Sequence, residues 1–159
     1  MRTDMKRRSV PFKQVDISKK PAVYREATAT GKIILKPSTV ALIRKGVLEK
    51  GDPLSLAAMA AILAVKSTPS IITLAHPLKV ERTEPVVKLT RDGVEVTVTV
   101  AAHEKTGVEM EALTAVSVAL LNVWDVVKAH EKDSGGQYPS TAIERIVVTG
   151  KVKRPNEAT

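Results

Sequence analysis

The chain has 159 residues, 43% of them hydrophobic and only 3% aromatic, with a formal net charge of +8. That is enough for one domain with a proper core, which Val, Ile, Leu and Ala must build. Zero cysteines exclude disulfides, thiolate metal sites and a thiol nucleophile. No apolar run reaches the ~18 residues that suggest a membrane span, and the basic start MRTDMKRRSVPFK lacks the apolar stretch of a secretory signal. A cytoplasmic protein with an anionic partner is expected. Nucleic acid is the usual candidate, but readers of RNA and single strands stack bases on aromatic platforms. Here Phe12, Tyr24, Trp124 and Tyr138 are scattered, so a phosphorylated small molecule fits at least as well.

Residues 1–13 read as a flexible basic arm, with a single domain over 14–159. From Ala22 to Leu35, β-branched and polar residues alternate, as in a strand or hairpin edge. Arg25 within it faces either solvent or a phosphate. Pro37-Ser38 starts a short helix with Ser38 as N-cap and Gly46 as its stop. Asp52-Pro53 is a second helix start, with Asp52 as N-cap and Pro53 in the first turn. The Ala-rich run LSLAAMAAILAVK follows and reads as core. In its last turn Lys66 is favoured by the helix dipole, which accounts for it. Lys50, just before the N-terminus, has no such account.

His76 lies between Ala75 and Pro77, where the following proline holds the backbone extended. A single histidine is commonly a hydrogen-bonded structural residue, yet this one could equally serve as an acid, a base or a phosphate donor. KVERTEPVVKLT and VEVTVTVAAHE form a hairpin turned by Arg91-Asp92-Gly93, and Pro85 demotes part of its first strand to an edge or bulge. His103 falls at a strand end, exposed. EKDSGGQYPST is a loop, and IERIVVTGKVKR closes the chain as a strand, with Lys151 in it. The elements make an α+β sandwich with helices on one face of a mainly antiparallel sheet.

The stretch from Lys105 to Lys128, KTGVEMEALTAVSVALLNVWDVVK, predicts a long helix. Thr106 and Glu109 have capping-box spacing, and small or aliphatic residues on nearly every face predict burial on most sides. Against that background stand Glu109 and Glu111 at one end, and Asp125 and Lys128, three apart on one face, at the other. Glu111 and Asp125 are separated by roughly 21 Å of helix, so both cannot serve one small site within a single chain. An antiparallel copy of the helix from a second subunit would bring them together. There is no phosphate-binding glycine loop, and His76, His103 and His130 lack metal-ligand spacing. Metal chemistry is not indicated.

Together, VDISKKPAVYREATATG (15–31), Lys50-Gly51-Asp52, AVKST (64–68), AHPL (75–78) and the long helical stretch resemble the cyclic pyranopterin monophosphate synthase family, the MoaC-type proteins of molybdenum cofactor synthesis. The resemblance spans about residues 14–153. It implies a ferredoxin-like α+β fold and hexamers built from dimers, with sites at subunit interfaces. The implied reaction rearranges 3′,8-cyclo-7,8-dihydro-GTP to cyclic pyranopterin monophosphate with release of pyrophosphate, without a redox cofactor. Position by position, it implies Asp125 as catalytic acid or base, Lys128 as its partner, and Lys50 as a functional lysine. It implies Leu74, Ala75, His76, Met110 and Glu111 as substrate-binding, His76 among the catalytic residues too, and Glu109 as a second carboxylate unless it is only a cap. Lys66, Arg25 and Lys151 become phosphate contacts.

Two departures stand out. The family usually has Cys where this chain has Ala75, so no thiol chemistry is essential here. The Gly-rich Lys-Ser-Gly-Gly tail of many relatives is replaced by TGKVKRPNEAT. A basic nucleic-acid-binding module is the alternative; it explains the charge but leaves the acids of the long helix unexplained. Retention of Asp125, Lys128, His76 and Lys50 argues against an inactive assembly subunit.

Overall fold

The computed structural model describes residues 11–155. Among these, the elements in chain order are β1 (Val23–Ile34), α1 (Pro37–Lys45), α2 (Pro53–Ile71), β2 (Arg82–Leu89), β3 (Gly93–Glu104), α3 (Glu109–Glu131) and β4 (Ala142–Arg154). The sheet order is β2-β3-β1-β4, with every neighbouring pair antiparallel. Split β-α-β units in this order are the ferredoxin-like arrangement. Most of the expected basic arm lies outside the described residues.

Strand alternation decides which face the helices cover. In β3, Val94, Val96, Val98, Val100 and Ala102 are buried, and in β1 so are Ala27, Ala29 and Ile33. These pack with Ala112, Ala115, Val116, Ala119, Leu120 and Val123 of α3, and with Ala57, Ala61 and Val65 of α2. The opposite face carries hydroxyl pairs, Thr28–Thr99 at 2.8 Å and Thr30–Thr97 at 2.7 Å. The helices thus lie on one face, as expected.

Several local expectations need correction. β1 is an interior strand rather than an edge, because β4 returns to pair along its free side. The N-cap of α1 is Lys36, not Ser38, and no side chain caps that helix; Pro37 already has the φ of a first helical residue. Gly46 does stop α1, in the left-handed conformation with φ 66°. Asp52 caps α2 as expected, accepting from the backbone N–H of Leu54 and Ser55 at 3.0 and 3.1 Å. α2 runs on past Pro69 to Ile71, so Lys66 is not in its last turn and the dipole does not explain it. Pro69 removes one helical N–H, yet the helix resumes through Ile72 N–H to the Thr68 carbonyl at 2.9 Å. The capping box of α3 is not formed: its N-cap is Val108, with no side-chain cap, and Glu109 pairs with Lys151 of β4 instead. Finally, α2 and α3 are each long and apolar enough to cross a membrane by length and composition. Their core-facing apolar residues pack against the sheet and each other, while Leu56, Met59, Ile62, Leu63 and Ile71 of α2 stay exposed. The β2–β3 hairpin and Pro85 on the edge strand β2 stand as read.

α3 lies close over β1 because Gly31 has no side chain. A Cβ there would meet Val116 Cγ1 at 2.8 Å, Ile146 Cγ1 at 3.0 Å and Leu120 Cδ1 at 3.0 Å. Ile146 sits opposite Gly31, where the β1–β4 register shifts and Arg145 takes φ 55°. Gly31→Ala is therefore expected to cost about 1–3 kcal/mol by overpacking, read as a lower denaturation midpoint; an unchanged midpoint would show that α3 can lift without penalty.

Candidate active site

Three groups of site residues are laid out along α3. At its C-terminal end, Asp125 is held between two lysines. Lys128 Nζ, one turn on, donates to Asp125 Oδ1 at 2.8 Å, and Lys50 Nζ donates to Oδ2 at 2.9 Å and to the Asp125 carbonyl at 3.0 Å. Lys50 reaches there from the turn between α1 and α2, which Gly51 (φ 98°) and the Asp52 cap shape. This gives Lys50 the account that the helix dipole could not. The Lys128 hydrogen bond, then that from Lys50, brings the Asp125 pKa down to about 2, and Asp125 in turn raises that of Lys128. All three side chains are about half exposed. A shallow cavity of about 340 Å³ opens beside Asp125 and Lys128, lined also by Leu121, Trp124 and Ile143.

At the N-terminal end, Leu74, Ala75, His76, Met110 and Glu111 share the wall of a cavity of about 400 Å³ with Lys13, Val15, Ile17 and Lys20. The segment after α2 is tied to residues 14–15: Gln14 Nε2 donates to the carbonyls of Leu74 and Ala75, and His76 Nε2 lies 2.9 Å from the Val15 carbonyl. A carbonyl only accepts, so Nε2 carries the proton and Nδ1 is the nitrogen left to accept in a neutral ring. Glu111 is 2% exposed, and no hydrogen bond reaches its Oε2 among the described residues. Burial outweighs a hydrogen bond from its own backbone N–H and, with the nearby Glu109 charge, raises its pKa.

Next to this cavity, and sharing Lys20, Thr106 and Gly107 with it, a second of about 430 Å³ gathers Arg25, Lys105, Lys151 and Lys153 around Glu109. Arg25 donates to the carbonyls of Glu104 and Lys105, which aims it along the rim of the sheet. Burial raises the Glu109 pKa, but hydrogen bonding from Lys151 and its own backbone, with the Arg25 charge, outweighs it and leaves a net lowering. The cations converge on one pocket that can take a polyanion. Lys20, Lys105 and Lys153 escaped the sequence reading, although Lys153 follows Lys151 by two and so shares its strand face. Lys66 joins neither group; it lines a third cavity, of about 300 Å³, with Lys79, Leu78 and Glu111. Among the described residues, no three His, Asp or Glu side chains gather where they could hold a metal ion.

A ferredoxin-like domain with a polycationic pocket beside a His–Glu cavity, and a carboxylate set between two lysines, has the parts of an enzyme that moves protons on a phosphorylated substrate. The chain belongs to the MoaC family, whose model matches residues 14–153. A protein of Aeropyrum pernix is 55% identical over 139 residues, covering 87% of this chain and 95% of its own length. One of Pyrococcus horikoshii is 53% identical over 144 residues, 91% of each chain. One of Sulfurisphaera tokodaii is 50% identical over 141 residues, 89% of this chain and 93% of its own. Each bears the name probable cyclic pyranopterin monophosphate synthase.

The Asp125 cluster makes a direct prediction. Its folded-state pKa is depressed, so its contribution to stability is present above the ordinary carboxylate range and fades as pH falls toward about 2. In a carboxyl-carbon NMR titration, Lys128→Ala should move the Asp125 midpoint up more than Lys50→Ala does. A midpoint indifferent to both would mean that neither lysine holds the carboxylate in solution.

Proposed function

We propose that this protein is a cyclic pyranopterin monophosphate synthase, a lyase that converts 3′,8-cyclo-7,8-dihydro-GTP to cyclic pyranopterin monophosphate and pyrophosphate. The observation that carries the proposal is the division of labour along α3 in a chain of this family. A polycationic pocket suited to a triphosphate adjoins a cavity with histidine and a buried carboxyl, and a charged acid–base cluster stands at the far end. Reopening and reclosing a reduced purine ring needs protons moved in both directions. Closing the cyclic phosphate needs cations on the phosphoryl oxygens while pyrophosphate leaves. At neutral pH Asp125 rests as the carboxylate and Lys128 as the ammonium. These are the forms that accept and donate a proton, respectively. Their pairing nevertheless moves both pKa values away from neutrality, so each acts once substrate loosens the pair. Arg25 and Lys151 hold phosphates; Leu74, Ala75, His76 and Met110 hold the ring system.

The two ends act on one substrate when two chains pair. The side of α3 that bears Met110, Leu113, Ser117, Leu121 and Trp124 is apolar and partly exposed. Its spacing is symmetric about Ser117, with leucines four residues to either side and Met110 and Trp124 seven to either side. A two-fold axis at Ser117 would lay α3 antiparallel on its copy and set Glu109 of one chain opposite Asp125 of the other. This supports a dimer whose sites each draw on two chains; the family resemblance adds its assembly into a hexamer and a cytoplasmic location.

The test is to give the purified protein the cyclised dihydro-GTP and assay pyrophosphate and, after oxidation, pterin fluorescence. Both should appear together; neither appearing from folded protein would overturn the proposal. Asp125→Asn and Lys128→Ala should each lower kcat about 10²-fold or more without altering assembly, and full turnover in either would remove its role. Mixed oligomers of a Glu109 variant and an Asp125 variant should recover activity that neither has alone. Failure to recover despite proven subunit exchange would count against shared sites.

A further inference from the structure

Glu111, expected above only to bind substrate, is a buried acid with no part in the phosphate and proton-transfer roles given so far. Its carboxyl stands in the first turn of α3, in the wall that separates two cavities. One is the 400 Å³ cavity of Leu74, Ala75, His76 and Met110, and the other the 300 Å³ cavity whose rim carries Lys66 and Lys79. Glu111 and Leu78 line both. A buried charged carboxylate normally recruits an arginine, a lysine or several N–H donors. Oε2 has no hydrogen-bond partner among the described residues. A hydrogen bond from its own backbone N–H favours the anion, but burial outweighs it.

We infer that Glu111 is a proton-donating catalytic residue, fed through the second cavity. The inference rests on the synthase reading for what occupies the first cavity. In the step, the carboxyl O–H bond breaks as an N–H or O–H bond forms on the substrate. The carboxylate left behind then takes a proton relayed from hydronium or buffer acid in bulk solvent through water that enters between Lys66 and Lys79.

The charged groups around Glu111 agree with this role. Glu109, on the same helix turn, stays anionic because Lys151 and Arg25 hold it; its charge opposes ionisation of Glu111, to which burial contributes most. The cations facing the same cavities are Lys66 on α2, Lys79 on the following segment, and Lys13 and Lys20 on the N-terminal segment, with His76 also in the first cavity. None makes an ion pair with Glu111. Two carboxyls two residues apart are thus driven in opposite directions, the pattern that separates a resident acid from a resident anion. Lys66, which neither the helix dipole nor the triphosphate pocket explains, stands at the mouth of the proton path.

The experiment compares the wild-type protein with Glu111→Gln, which keeps size and shape but cannot deliver a proton, and with Glu111→Asp. Infrared difference spectra of the substrate-free proteins at neutral pH should show a protonated-carboxyl stretch in wild type that Glu111→Gln lacks. Thermal melts should show wild type losing ground to Glu111→Gln as pH rises above the ordinary carboxylate range. A raised folded-state pKa makes the acid's contribution fade as pH rises, and the glutamine has no such dependence. With the cyclised nucleotide, Glu111→Gln should lose about 10²–10⁴-fold in kcat with little change in KM, and Glu111→Asp should recover part of it with a pH profile shifted to lower pH. No carboxyl stretch attributable to Glu111, or wild-type kcat in Glu111→Gln, overturns the inference. Wild-type protein that turns over no substrate overturns the synthase reading and the catalytic step with it, while the infrared and melting results still decide whether the resting carboxyl is neutral.

Discussion

Everything about this chain's chemistry depends on α3 lying unbroken across the sheet. From Glu109 to Glu131 it contains neither proline nor glycine, so its two ends are held a fixed distance apart. The buried side of that helix is made of Ala, Val and Leu seated on the valines of β3 and the small residues of β1. Such a seat lets the helix come close, and Gly31 lets it come closest. The charged residues at either end are consequently placed by the core itself rather than by mobile loops.

A second anchor sets the C-terminal end. Glu131 is fully buried; it accepts from the backbone N–H of Lys36 at 3.1 Å and from Thr141 Oγ1. One carboxylate thereby ties the last turn of α3 to the start of α1 and to the approach to β4. The Lys50 turn follows α1 directly, so this clamp helps set where Lys50 meets Asp125. Its partners are 95 and 10 residues away in sequence, which is why no local pattern announced it. Reading residue by residue, Glu131 is one more charge at a helix end.

What the sequence displayed well was whatever has a period or a punctuation mark. Strand alternation, the Asp92-Gly93 turn, the Asp52-Pro53 start and the Gly46 stop are local codes, and the structure uses each as written. The capping box of Thr106 and Glu109 failed because a stronger partner was available: Lys151, more than forty residues on, takes the carboxylate that a cap would have used. β1 read as an edge since its outer face is polar, although that polarity is spent on threonine pairs across the open side of an interior strand. Motif resemblance named Leu74–His76, Met110–Glu111 and Asp125–Lys128; the fold sets the first two groups around one cavity at the start of α3 and the last near its other end. The polycationic pocket was only half visible, because Lys20, Lys105 and Lys153 come together from three separate segments.

The two acids at the ends of α3 differ in the way that matters most for chemistry. Glu111 is already buried in the single chain, and its protonation state is governed by the chain that carries it. Asp125 and its lysines are about half exposed, and in water an ion pair of that kind is worth little and is screened by salt. The same carboxylate beneath a covering protein surface would act at a far lower effective dielectric, where its hold on a proton or a substrate cation strengthens several-fold. Under the shared-site reading, pairing of two chains does more than bring distant residues together. On that reading it would supply the desolvation that the Asp125 cluster lacks in the single chain, and assembly would belong to the mechanism.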